Sequence, residues 1–103
     1  HKEIDLKNWK ANKKNSGFLP EERQWLDELY YELGFIDAFR LVKQEADQYS
    51  WWSNRGQARA KNVGWRLDYH VISSGLRNKV MSAEIYTDQN FSDHAPVILD
   101  YNI

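Results

Sequence analysis

Two places in the chain combine residue types suited to acid–base or metal chemistry. Near the end, Ser92-Asp93-His94 sets an acid beside a histidine, just ahead of the strand-like run Val97-Ile98-Leu99-Asp100-Tyr101. Earlier, Asp68 stands inside Gly64-Trp65-Arg66-Leu67-Asp68-Tyr69. Histidine changes charge near neutral pH, and a carboxylate accepting from one ring nitrogen fixes its tautomer and raises its basicity. If the two segments are neighbouring strands, Asp68 can serve His94 in this way. Asp93 then turns a second carboxylate into the same corner, where oxygen donors suit Mg²⁺. Each residue alone has a plainer reading: Asp68 as a solvent-facing strand residue, His94 as a structural histidine, and Asp93-His94 as a surface turn. An acid inside a half-buried strand is costly unless it is paired. Spacing alone leaves both readings open.

A second group is aromatic and cationic. Trp51, Trp52 and Trp65 are interleaved with Arg55, Arg59, Lys61 and Arg66. Aromatic faces stack on bases or sugars while cations hold phosphates, although tryptophans in strands are more often core. A carbohydrate site also uses tryptophan, but has less need of four cations without an acid. The net charge of −1 hides a partition. Lys7, Lys10, Lys13 and Lys14 lie between Leu6 and Pro20 with no acid, and the four cations from Gln48 to Leu67 are equally free of acids. Such segments either face an anionic partner or form two solvated basic loops. The basic excess of a whole nucleic-acid-binding domain is absent.

For these residues to meet, the elements carrying them must lie side by side. Residues 1–17 read as a loop. A helix is predicted over residues 20–33, with Pro20, Glu21 and Glu22 in its first turn, Trp25, Leu26, Leu29, Tyr30 and Leu33 at helical spacing, and Gly34 just past its end. Residues 35–40 read as a turn with a short strand or helical turn. Tyr49-Ser50-Trp51-Trp52 has strong strand propensity. From Trp65 to Ile72 the chain alternates, with Trp65, Leu67, Tyr69 and Val71 on one face and Arg66, Asp68, His70 and Ile72 on the other, which predicts one strand. Leu76–Val80 is a turn or short helix, and Ala83–Thr87 and Ala95–Ile103 are the last strands. The mixture is α/β.

At 103 residues the chain is one domain at most, and 42% apolar content is ordinary for a folded protein. No stretch is long or apolar enough to span a membrane, and no signal-peptide pattern opens the chain. The absence of cysteine excludes disulfides and thiolate metal sites and fits a cytosolic protein. The only methionine is Met81, and the chain begins abruptly at His1-Lys2-Glu3, as expected of a segment of something larger.

Three stretches occur in order and at suitable separations: "NKKNSGFLPEER" (Asn12–Arg23), "YSWWSNRGQARAKNVGWRLDY" (Tyr49–Tyr69) and "SDHAPV" (Ser92–Val97). Together they resemble the carboxy-terminal portion of the exonuclease III family of AP endonucleases, within the endonuclease/exonuclease/phosphatase superfamily. The resemblance implies an α/β fold, the second half of a DNase I-like four-layer α/β sandwich, with residues 1–103 as the carboxy-terminal half of the domain and the amino-terminal half as its missing partner. In the family a Gly-Asp-x-Asn motif precedes the position of His1, and a metal-binding Glu lies nearer the start. The isolated segment is therefore expected to be inactive.

By position, His94 matches the family's catalytic histidine at the scissile phosphate, and Asp68 matches its carboxylate partner. Asp93 matches an acid that binds metal or orients the site. Trp51, Trp65 and Leu67 match the lining of a pocket for a flipped-out abasic sugar. Asn8, Asn12 and Asn15 match a DNA-contacting loop, and Arg59 and Asn62 lie beside the groove. Two departures stand out: Phe91 where Gly is usual, and Trp9 where Pro is common. The implied protein is a DNA-repair nuclease using Mg²⁺, with Mn²⁺ as a substitute. It cleaves double-stranded DNA 5′ to abasic sites and has 3′-to-5′ exonuclease activity at 3′ ends, in a bacterial or archaeal cytoplasm. Its rivals are a non-catalytic nucleic-acid-binding module and another phosphodiesterase of the superfamily.

Overall fold

The computed structural model describes all 103 residues, His1–Ile103. Two short 3-10 turns, Glu3–Asp5 and Trp9–Asn12, open the chain where only loop was expected. Helix α1 follows at Pro20–Asp27 and continues through a wider π turn, Glu28–Glu32. Its start is tied by Glu22, whose Oε1 accepts from the amides of Gly17 at 2.7 Å and Leu19 at 3.1 Å. Gly34, with φ +78°, ends it in a conformation that other residues adopt at a cost. The helix thus fills its predicted span, but Trp25 and Leu33 point outward, at 61% and 69% exposure.

Strand β1 (Ile36–Asp37) runs directly into α2 (Ala38–Val42), so the ambiguous 35–40 segment is both strand and helix. Then come β2 (Trp51–Trp52), β3 (Gly64–Trp65), β4 (Val71–Ile72), a 3-10 turn at Ser74–Lys79, β5 (Val80–Ile85) and β6 (Val97–Tyr101). All pairing is antiparallel: β1 with β4, β2 with β3 and β5 with β6. The β5–β6 ladder sets Ala83 opposite Leu99 and Ile85 opposite Val97. Thus β5 starts three residues before its predicted place, and β6 is shorter than the Ala95–Ile103 expectation.

The single strand predicted from Trp65 to Ile72 does not form. It is split into β3 and β4 by an irregular passage over residues 66–70. The side chain of Ser50 contributes to the break. Its Oγ accepts from the amides of both Leu67 (3.1 Å) and Asp68 (3.2 Å), drawing them out of a regular ladder.

Apart from Leu6, Phe18, Phe39 and Ala83, the buried apolar residues lie in two small clusters. Ile36, Ala38 and Ile72 form one, with Leu41, Leu76, Val80, Leu99 and Tyr101 packed around them. Tyr49, Trp52 and Ala95 form the other, beside Ala58 and Ile85. The chain also holds a buried ionic network. Arg66 donates from Nε to Asp5 Oδ1 at 2.8 Å and from Nη2 to Asp37 Oδ2 at 2.6 Å, and Arg40 reaches Asp5 Oδ1 at 2.7 Å. Arg66 is only 2% exposed, so it leaves the set of cations read from the sequence as facing an anionic partner. No helix is long and apolar enough to cross a membrane.

Candidate active site: a histidine and two aspartates around one strand

The segment leading into β2 is the rail on which the site is built. On one side, Ser50 N donates to the Trp65 carbonyl at 2.9 Å, and Trp51 pairs with Trp65. On the other, Trp51 bridges to His94, Trp52 N donates to the Asp93 carbonyl at 3.2 Å, and Ala95 N donates to the Ser50 carbonyl at 2.8 Å. The segments bearing Asp68 and His94 are therefore not neighbouring strands, as the sequence reading required. The Ser50–Trp52 run stands between them. Their side chains still meet across it, with His94 Nδ1 2.8 Å from Asp68 Oδ2.

Both side chains are a little under half exposed. An ionised carboxylate can only accept, so this contact places the hydrogen on Nδ1. Nε2 is left without a protein partner, and His94 lines a cleft of about 360 Å³ together with Asp68, His70, Phe91 and Pro96. The main chain at His94 is also held, its amide donating to Ser92 Oγ at 3.0 Å.

Asp93 is fixed by Trp51, whose Nε1 donates to Oδ2 at 3.0 Å. Its other carboxylate oxygen has no protein partner. No three His, Asp or Glu side chains gather into a metal-holding group in the chain. Asp93 Oδ1 is one oxygen donor of a kind that suits Mg²⁺, and this chain alone does not supply a set of donors for a metal.

The tryptophans form a continuous surface beside this corner. Trp51 and Trp65 meet edge to face, with centroids 6.3 Å apart, and Phe18 abuts the far side of Trp65 at 6.5 Å. Gly17 lies against the same ring, where a Cβ would come 3.1 Å from Trp65 and 3.6 Å from Leu67. Trp51 thus meets Trp65, Gly17 stands close to both Trp65 and Leu67, and all three of Trp51, Trp65 and Leu67 are partly buried.

The three asparagines also belong to one feature. Asn15 Nδ2 donates to Asn12 Oδ1 at 2.6 Å, and Asn12 Nδ2 to the Asn8 carbonyl at 2.8 Å. They stabilise an exposed turn on which Lys10 and Lys13 lie over the Trp9 ring. Asn62 is more committed: it accepts from Trp52 Nε1 at 3.0 Å and donates to the Asp47 carbonyl at 3.2 Å. Arg59 is turned back toward the segment before Asp93. Sequence reasoning missed Ser50. Its hydroxyl is fully buried between Tyr49 and Trp51, which no sequence pattern announces.

Residues 1–94 match the Endonuclease/Exonuclease/phosphatase family. The chain is 48% identical to an exodeoxyribonuclease of Bacillus subtilis, over all of this chain and 41% of that protein. It is 49% identical to the DNA repair nuclease APEX1 of Danio rerio, over 96% of this chain and 32% of that protein. Among solved structures, the AP endonuclease of Leishmania major superposes with a TM-score of 0.86 at 35% identity, covering 98% of this chain and 32% of that one. The chain thus spans 41% and 32% of the length of these two curated relatives.

Proposed function

The chain belongs to the Endonuclease/Exonuclease/phosphatase family, and from that premise we propose that it furnishes the histidine–carboxylate part of a DNA-repair nuclease. As proposed, residues 1–103 act as the carboxy-terminal half of the catalytic domain, and an amino-terminal half supplies the remaining donors. The reaction is hydrolysis of a phosphodiester 5′ to an abasic site, leaving a 3′-hydroxyl, with 3′-to-5′ exonuclease activity on the same site. One observation carries the reading: His94 Nδ1 is held by Asp68 at 2.8 Å, which leaves Nε2 without a protein partner, and both residues line one cleft.

The residues divide the work as follows. Asp68 holds the Nδ1 proton and aims the ring, so that Nε2 is the nitrogen that meets the scissile phosphate. In protonated form, Nε2–H donates to a phosphate oxygen as charge develops on it. Trp51 orients Asp93, leaving Oδ1 free. The family is generally divalent-metal dependent, and Mg²⁺, with Mn²⁺ as a substitute, is the proposed ion, neutralising phosphate charge when bound. Trp51, Trp65 and Leu67 receive the extruded sugar. An abasic residue has no base to unpair or unstack, so extruding it costs less than extruding an intact nucleotide. The Asn8, Asn12 and Asn15 turn and the Arg59–Asn62 segment flank the duplex. A cytoplasmic setting goes with this reading, supported by the lack of cysteine.

The test uses the complete protein and a duplex with a single abasic site. His94→Ala is expected to lower kcat by roughly 10²–10⁴-fold. Trp65→Ala should impair abasic-site cleavage, or its discrimination against intact bases, more than removal of a 3′-phosphate. A non-catalytic binding module predicts that His94→Ala leaves all DNA chemistry unchanged. Equal losses on both substrates for Trp65→Ala would reduce that residue to a structural one.

A further inference from the structure

The loop that delivers Asp93 and His94 is hydrogen-bonded from outside by one side chain, while Phe91 within it stacks on Tyr86 at 6.2 Å. Between Tyr86, whose amide donates to the Pro96 carbonyl, and Asp93, whose carbonyl accepts from Trp52, residues 87–92 make no main-chain hydrogen bond. Arg59 fills that gap. Its Nη1 donates to Asn90 Oδ1 at 2.9 Å and to the Ser92 carbonyl at 2.8 Å, and Nη2 reaches the Gln89 carbonyl at 3.5 Å. All three acceptors lie just ahead of Asp93.

The seat of Arg59 is itself rigid. Its guanidinium lies 4.5 Å from the centroid of Trp52, which is only 3% exposed. The Trp52 ring is pinned at its edge by Asn62 and packed so tightly on Gly64 that a Cβ there would come within 2.6 Å of it. A planar fork stacked on a fixed indole offers several donors in a set geometry, which a point charge cannot do.

We propose that Arg59 is a positioning residue: from its seat on Trp52 it orders residues 89–92 and thereby places Asp93 and His94. Its role in the reaction rests on the reading of Asp68 and His94 as a working pair. The competing role for an arginine at this spot is a direct contact to a DNA phosphate, and the two make opposite predictions.

In the complete protein, Arg59→Ala is expected to lower kcat about tenfold or more, with KM for the abasic duplex nearly unchanged, because misplaced groups cost rate and not ground-state binding. The slope of log affinity against log salt, measured without metal, stays as in wild type. Amide ¹⁵N order parameters at Asn90 and Ser92 fall from the rigid range of about 0.85 toward 0.6 or below. Arg59→Lys restores the charge but not the fork, so it rescues kcat only in part. Asn90→Ala, an exposed change that leaves the Trp52 seat intact, shows a smaller loss of the same kind, and the double variant loses less than the two losses multiplied together. A raised KM, a salt slope flattened by about one unit and unchanged order parameters would overturn the proposal in favour of a phosphate contact. Full rescue by Arg59→Lys would do the same. If wild type fails to cleave abasic DNA, the nuclease reading falls, and the order parameters still decide whether Arg59 places the loop.

Discussion

Asp68 and His94 show how much a short contact can fix. At 2.8 Å the carboxylate determines which ring nitrogen carries hydrogen and which way the ring faces. Asp68→Asn keeps the size but replaces an acceptor-only group with an amide that can turn its NH₂ toward Nδ1. That exchange removes the negative charge behind the ring, which supports positive charge on the imidazole as Nε2–H donates to phosphate. The expected result is a fall in kcat of roughly 10²-fold or more, with KM little changed and no loss of folding. An unchanged kcat in a steady-state assay would remove Asp68 from the chemistry. The pairing of Asp68 with His94 was legible because ionisable side chains advertise themselves. Ser50, which bends residues 67 and 68 into place, was not, since a serine hydroxyl has the same letter whether it solvates a loop or captures two amides. Arg66 misled for the opposite reason. Its charge was plain, but the two aspartates that bury it lie far from it in sequence, at positions 5 and 37.

At the level of elements, the helix was legible and the strands were not. Helix α1 carries its own boundary chemistry in Pro20, Glu22 and Gly34. The alternation from Trp65 to Ile72 was equally regular, yet a strand needs partners, and those belong to other parts of the chain. Trp65 pairs with Trp51 and Ile72 with Ile36, so the run is shared between two sheets and breaks between them. Gly64 makes this junction close-packed. A Cβ there would stand 2.6 Å from Trp52 Cδ1 and 2.7 Å from the Trp51 carbonyl oxygen, and neither a 3%-exposed indole nor a paired backbone can yield easily. Gly64→Ala is accordingly expected to cost about 2 kcal/mol or more by overpacking. Because Trp52 seats Arg59 and its amide holds Asp93, catalytic rate should fall along with stability in a urea titration and activity assay of the same sample. Wild-type stability in that titration would mean that the β2–β3 packing is looser than the geometry states.

On the scale of the whole molecule, the buried ionic network joins parts that no local pattern connects: the opening turn, α2 and the passage after β3. Arg66 and Asp5 are each 2% exposed, and the carboxylate also accepts from the Lys2 amide at 3.0 Å. Burial alone would push the Asp5 carboxyl up. The hydrogen bonds and charge of Arg66, helped by Arg40, outweigh it and hold the group well below the ordinary carboxylate range. A carboxyl depressed on folding contributes stability that is present in full above its unfolded value of about 3.9 and drains away as pH falls below that toward the folded value. Asp5→Asn removes this contribution and leaves Arg66 facing only Asp37. At pH 7 the variant of the complete protein should be destabilised by about 3 kcal/mol, the scale expected when one partner of a buried pair is lost. Below about pH 4 the gap between wild type and variant should narrow, because only wild type has the ionised Asp5 to lose. Urea midpoints measured from pH 7 down to pH 3 read this directly. A gap that stays constant across the range would show that Asp5 acts through shape and hydrogen bonding, not through its charge.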